Sequence, residues 1–397
     1  MTNPLSSGSN PFEFLLGDLL NMLGSQKGMH TQMARQMAVS VANDPPDQPN
    51  VDPLDRIKYE ELSKILQIHL QGFTALPENT SHDIAIEVVN RIEWASRTTS
   101  DWEKYADMLQ KVAEVHQDQL EIGSELSNDA EQQDSLSQMI QNLSKMISPS
   151  MIAMQLGSMT GHLAKVAFGS FEIPVPRPPE NTTMIISYNV DTFAREWELP
   201  LDQVRLWATL REMVMSIVLS TPIISERIRE LITKHIEAST TNLKQIQDRL
   251  TQLDLTDPEG LQAAISDPSG IFGPNGQSDA QKRILTDIGT TMAVIEGLAS
   301  NAVLRLGGRL LGNSAAIDEA FMRRRIERSD GERLSEQFFG IEITRGGIER
   351  GQDFIRGVIE RAGEEGVTPL WTREGSFPTP PELEAPGLWL ARLELES

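Results

Sequence analysis

Apolar side chains recur every three or four positions through most of the chain, which is the spacing of an α-helix with one buried face. Three predicted helices from residue 55 onward are marked by Ile57, Leu62, Ile65, Leu66 and Leu70, by Ile84, Val88, Val89, Ile92 and Ala95, and by Trp102, Tyr105, Met108, Leu109, Val112 and Val115. A fourth helical pattern covers 139–156 and is rich in methionine; Met139, Met146, Met151, Met154 and Met159 lie in it or just beyond it. We expect these methionines to fill the core, because the flexible thioether adapts to irregular gaps.

One stretch has a different pattern and predicts a strand. Residues 182–190 (TTMIISYNV) are rich in β-branched and aromatic side chains. The segment before them, 171–179, carries four prolines and cannot be helical. Asp191 is suited to begin a short helix as its N-cap. The sequence therefore predicts a mostly α fold with a minor β element.

Further helical patterns follow in the second half of the chain. They lie near 201–219, 226–253, 279–311, 315–326 and 346–362, with Asp279 as a predicted N-cap and a loop rich in Gly and Pro at 267–278. We predict four units: residues 1–28 as a flexible N-terminus with a short amphipathic helix at 12–23, 29–160 as a helical domain, 161–345 as a core, and 346–397 as a C-terminal helix with a proline-rich tail. Trp371 and Trp389 are expected to anchor that tail.

The formal net charge of -22 excludes some classes of partner. A strongly acidic surface repels phosphate backbones and anionic lipid, so we expect neither nucleic acid nor a membrane surface as a partner. One local exception is the basic run Arg323, Arg324, Arg325 and Arg328. It is short, and we predict it to be a solvated helix face.

Cysteine is absent, which removes disulfides, thiolate metal sites and cysteine nucleophiles from consideration. The apolar segment at 12–20 is interrupted by acids and lacks a basic start, so we do not read it as a signal peptide. No stretch has the roughly 20 apolar residues of a membrane span. A cytoplasmic location is the expectation, and no glycine loop follows a strand as a nucleotide cofactor would require.

Several motifs from residue 161 onward resemble a known family, the zincin-like metallopeptidases of type 2. They are FGSFEIPVP at 168–176, NVDTF at 189–193, WELP at 197–200, VRLW at 204–207 and VIEGLA at 294–299. In the family, the segment matching 204–207 leads directly into a His-Glu-x-x-His helix. The resemblance implies a zincin-like core at 161–345, against which the N-terminal helical half packs.

The resemblance also implies which residues occupy the catalytic positions. Glu212 stands at the position of the general base, and Glu296 lies in the region that supplies a third metal ligand. Arg211 and Met215 replace the two helix histidines, and Leu298 replaces the third histidine. Arginine has no lone pair for a metal, and methionine is a poor ligand for zinc.

We therefore expect no metal and no cofactor, and we predict that Arg211 forms an ion pair with Glu296, Glu212 or both. The favoured hypothesis is a non-catalytic family member that binds a protein or peptide partner, or a second copy of itself. The alternative is a hydrolase of unknown substrate that acts through Glu212 and Glu296.

Overall fold

The chain is largely helical in the computed structural model, which describes residues 27–46, 49–77, 84–124, 134–178, 181–239 and 278–396. The helices are α1 Lys27–Ala42, α2 Pro53–Leu70, α3 Arg91–Ser124, α4 Asp134–Val166, α5 Ser187–Glu196, α6 Leu201–Ser220, α7 Pro222–Ser239, α8 Asp279–Leu310, α9 Ser314–Arg324, α10 Asp330–Phe339, α11 Arg345–Ala362, α12 Pro369–Thr372, α13 Pro380–Glu384 and α14 Pro386–Leu395. A 3-10 turn covers Glu364–Val367. The predicted mostly α fold with a minor β element is confirmed.

The β element consists of two short parallel strands. β1, Ala85–Val88, pairs with β2, Thr182–Ile185, in the register Ala85 to Thr182. β1 corrects the helix predicted from Ile84 to Ala95. Its apolar residues fit a helical spacing, but hydrogen bonds to a segment almost a hundred residues away hold the backbone extended. The helix begins only at Arg91, where the Asn90 side chain accepts a hydrogen bond from the backbone N–H of Glu93.

Two predicted helix starts are also wrong. The strand predicted to reach residue 190 ends at Ile185, and α5 begins at Ser187 without Asp191 as its cap. The Asp191 carboxylate instead binds the Arg205 guanidinium, with Nε–Oδ1 and Nη2–Oδ2 distances of 2.8 and 2.5 Å. Ser278, one residue before Asp279, caps α8 and completes a capping box.

Tight packing between helices fixes the position of α8. Buried apolar side chains from α1 to α14 form one contiguous cluster. At the crossing of α8 and α11, a Cβ atom on Gly351 would lie 1.7 Å from the carbonyl oxygen of Ala293. Only glycine permits this approach. The crossing lies beside Glu296 and holds α8 close against α11. The division of the chain into four units stays a prediction.

Some surface and core assignments differ from the sequence-based expectation. Met159 is buried, but Met151 and Met154 are half exposed, so the methionine run only partly fills the core. Trp389 is fully buried and donates its indole N–H to the Ser376 carbonyl, and Trp371 packs against the core, as expected for anchors of the tail. The predicted helix at 12–23, the loop at 267–278 except for residue 278, and the predicted helical stretch beyond residue 239 lie outside the described residues.

Length and apolar composition decide whether a helix in the described part of the chain meets the criteria of a membrane span. No single helix there combines the length and the apolar composition of a span. The helices α6 and α7 meet these criteria only as a pair, and they are bent by 80° with respect to each other.

Candidate functional site

Helix α6 carries three charged residues into the interior: Arg205, which binds Asp191, and the adjacent pair Arg211 and Glu212. Almost every side chain from Val204 to Leu219 is buried, which is typical of a central helix surrounded by protein. Arg211 and Glu212 lie in the middle of it and are only 5% and 3% exposed. A charge this deep must be paired or neutralised. The two residues meet this requirement in different ways.

Arg211 is neutralised by an acid on the neighbouring helix. Its Nη2 atom lies 3.0 and 2.8 Å from the two carboxylate oxygens of Glu296 on α8, which is 1% exposed. The guanidinium carbon also lies 4.7 Å from the ring centre of Phe321 on α9, a favourable cation–π distance. The predicted ion pair of Arg211 is therefore present with Glu296, and it joins α6 to α8.

Glu212 forms no ion pair with any residue in the described ranges, and a turn of the chain covers its carboxyl group. Its Oε2 accepts a hydrogen bond from the backbone N–H of Phe171 at 3.1 Å. Gly169 lies directly above the carboxyl group: a Cβ there would be 2.5 Å from the Glu212 Cδ atom and 2.4 Å from the Met184 carbonyl oxygen. Burial raises the pKa of Glu212 to about 8, against the opposing effects of the Phe171 N–H and of Arg211. With its pKa raised to about 8, we expect Glu212 to hold its proton at pH 7.

A third buried acid, Glu172, was not singled out from the sequence. Its Oε1 atom lies 2.6 Å from Nη2 of Arg324 and 3.4 Å from Nη2 of Arg325. Burial alone would raise the pKa of Glu172, but the two guanidinium groups outweigh it and hold the pKa below its ordinary value. The signal available in the sequence was an acid placed within the apolar, proline-rich run at 171–176.

This pairing corrects the interpretation of the basic run. Arg323 is exposed, but the side chain of Arg325 is only 1% exposed and that of Arg324 is 21% exposed. They turn inward because Glu172 and the ring of Phe321 offer them partners. The guanidinium carbon of Arg324 lies 5.4 Å and that of Arg325 4.8 Å from the Phe321 ring centre. Three guanidinium groups, with that of Arg211, therefore surround one phenyl ring.

A small cleft adjoins Arg211. It is lined by residues of α6, α8, α9 and α11, among them Trp207, Asp318 and Phe321. The indole N–H of Trp207 donates to the Asp318 carboxylate at 2.7 Å, and burial raises the pKa of Asp318 to about 6. The free space is about 20 Å³, which is room for about one water molecule. Glu212 does not line this cleft, so the two acids with raised pKa values face different surroundings.

The residues at the implied zinc positions do not fit zinc. Arg211 presents N–H donors to Glu296, and Met215 and Leu298 are fully buried apolar side chains. In the described part of the chain, no group of three or more His, Cys, Asp or Glu side chains is placed to hold a metal ion. Leu298 follows Glu296 by two residues, so their side chains leave α8 about 200° apart. Glu296 is turned toward Arg211, so Glu296, and not Leu298, is the α8 side chain that contacts residue 211.

The raised pKa of Glu212 leads to a test of its environment. The folded state holds a proton that the unfolded state, with an ordinary pKa near 4.5, releases. This group therefore lowers the free energy of unfolding as pH rises from about 4.5 to about 8, by up to about 1.4 kcal/mol per pH unit. Glu212→Gln keeps the acceptor for the Phe171 N–H and removes this loss. The variant should match the wild type near pH 4.5 and be the more stable protein at pH 8 in urea unfolding.

Asp318→Asn provides the matched control for that measurement. Since burial raises the pKa of Asp318 only to about 6, this variant should change the pH dependence below pH 6 and leave the range from 6 to 8 unchanged. Parallel curves for the wild type and Glu212→Gln across pH 5–8 would show that Glu212 is ionised in the folded protein.

Comparisons with known proteins agree with the resemblance seen in the motifs. The family model of the zincin-like metallopeptidases matches residues 29–390. Among solved structures, the crystal structure of a putative hydrolase with a novel fold from Chloroflexus aurantiacus aligns with a TM-score of 0.60 at 17% sequence identity. The alignment covers 92% of this chain and 99% of that one, and it shows a shared fold. No curated protein matches the sequence.

Proposed function

This chain belongs to the zincin-like metallopeptidase family, and we propose that it is a member without catalytic activity that acts by binding a protein or peptide partner. The observation that carries the proposal is the Arg211–Glu296 ion pair. Arg211 occupies the first helix-histidine position, and its guanidinium donates hydrogen bonds to both carboxylate oxygens of Glu296. Neither group is then available to hold zinc.

The state of the general base supports the same conclusion. In a zincin, the glutamate must be ionised to accept a proton from the attacking water. Here burial raises the pKa of Glu212 to about 8, and the turn at Gly169 and Phe171 covers its carboxyl group. The adjoining cleft has room for about one water molecule. A peptide bond therefore has no place beside an activated water in this arrangement.

The alternative is a hydrolase that acts through Glu212 and Glu296 by another route. One observation favours it: a carboxyl group that is neutral at pH 7, like that of Glu212, can serve as a general acid. Against it, Glu296 is engaged by Arg211, and Glu212 is shielded from the cleft.

Metal content and hydrolysis distinguish the two functions. The purified protein, dialysed against zinc, should hold well under one equivalent by elemental analysis. It should also cleave a mixture of unstructured peptides no faster than the Glu212→Gln variant, with product peptides followed by mass spectrometry. One tightly held zinc would refute the loss of the metal site. Cleavage that disappears in Glu212→Gln would establish the hydrolase instead.

A further inference from the structure

Helix α2 carries apolar side chains on two faces. Tyr59 and Leu66 point into the core and are fully buried. On the opposite face Leu54, Ile57, Ile65 and Ile68 are 61%, 54%, 49% and 69% exposed. Isolated exposed aliphatic residues are ordinary, but four on one face of an 18-residue helix form a continuous stripe. We call these four residues the α2 stripe.

The spacing of the α2 stripe is the same in both chain directions. With Glu61 at its centre, the intervals from Leu54 to Ile68 are three, four, four and three residues. At about 100° per residue, all four aliphatic side chains fall within about 40° of Glu61 around the helix. A second α2 helix running in the opposite direction therefore places Leu54 opposite Ile68 and Ile57 opposite Ile65.

The charges that border the stripe have the matching arrangement. Lys58 and Lys64 lie three residues before and after Glu61, on opposite borders of the stripe. In an antiparallel pair, the two copies of Glu61 lie opposite each other at the two-fold axis. Each is flanked by Lys58 and Lys64 of the other copy, which offset the repulsion between the two carboxylates. Lys64 also pairs with Glu60 of its own helix at 2.7 Å. This local balance of charge counters the repulsion expected between two chains of net charge -22.

We propose that the α2 stripe is the contact surface of a two-fold symmetric dimer, formed by antiparallel packing of α2 against α2 of a second copy. Such an interface is isologous, because each copy contributes the same patch. One helix face offers less than the roughly 800 Å² per partner of a standard stable interface. The dimer should therefore form in a concentration-dependent way. This proposal does not depend on whether the protein is catalytic.

Mass measurements test whether the dimer forms. In light scattering coupled to size exclusion, the full chain should move from the mass of one copy toward that of two as the concentration rises from low to high micromolar. Ile57→Lys with Ile65→Lys should keep it monomeric and folded, because both side chains are exposed. Ile326→Lys is the matched control: Ile326 is 63% exposed but lies outside the stripe, so this variant should still dimerise.

Cross-linking tests the antiparallel geometry, and the absence of native cysteine makes it specific. Glu61→Cys should form a disulfide-linked dimer with itself under mild oxidation. Leu54→Cys alone should not, because its two copies would lie about 21 Å apart, 14 residues at 1.5 Å each. A mixture of Leu54→Cys and Ile68→Cys should cross-link. A wild-type mass of one chain at every concentration would overturn the dimer, and efficient self-linking of Leu54→Cys would overturn the antiparallel arrangement.

Discussion

Arg211→Met should lower the free energy of unfolding by about 3–5 kcal/mol, because it leaves the Glu296 carboxylate buried without a cation. Replacing both partners should cost much less. In Arg211→Met with Glu296→Met, two apolar side chains of suitable length meet in an apolar region, and such exchanges of buried ion pairs are often nearly neutral or stabilising. Urea unfolding measures the loss of stability in the single and the double variant, provided that the slope of the unfolding free energy against urea concentration is the same as in the wild type.

An exposed pair supplies the control for this cycle. Arg323 and Glu319 lie 2.7 Å apart, but their side chains are 59% and 45% exposed. Arg323→Met should cost about 1 kcal/mol or less, since solvent already satisfies both charges. If the double variant at 211 and 296 loses as much stability as the two single variants added together, the buried groups are not coupled, and the ion pair does not replace a metal as the link between α6 and α8.

Restoring histidines at positions 211 and 215 should recreate a zinc site. Arg211→His with Met215→His places two imidazoles four residues apart on one face of α6. Glu296, freed from the guanidinium, would then be a third ligand, which is a known donor set for zinc. At a hundredfold excess over its Kd, zinc bound only by the folded state adds about 2.7 kcal/mol. The variant should therefore melt at a higher temperature with zinc than with chelator.

Two further variants separate the possible outcomes. Met215→His alone retains Arg211 and should show no response to zinc, like the wild type. Adding Leu298→His to the pair tests the position that the sequence resemblance implies. A larger response to zinc than that of the double variant would mean that residue 298 reaches the metal. If neither the double variant nor the triple variant binds zinc, and neither is less stable than the wild type in chelator, position 211 does not correspond to a metal-ligand position.

The sequence by itself determined the class of the fold, and it predicted which residues occupy the site that the family resemblance implies. Helical spacing of apolar residues is a local property, so the helices at α2, α6, α8 and α11 were predictable to within a few residues. The family motifs at 168–176, 189–193 and 204–207 are also local. Together with the residues at 211 and 215, they were enough to predict that a cation would stand where zinc ligands are expected and would need an acid.

Only the tertiary structure decided which acid pairs with Arg211 and how the pKa of the other acid is shifted. Arg211 pairs with Glu296 and not with the adjacent Glu212. Neighbouring positions on a helix point about 100° apart, and of these two residues it is Arg211 that faces Glu296 on α8. The raised pKa of Glu212 depends on its burial beneath the turn at Gly169. The strand β1 and the inward turn of Arg324 and Arg325 were mispredicted for the same reason: their partners, β2 and Glu172, are distant in the chain. Local pattern carries no information about such contacts, since they exist only once the helices have packed.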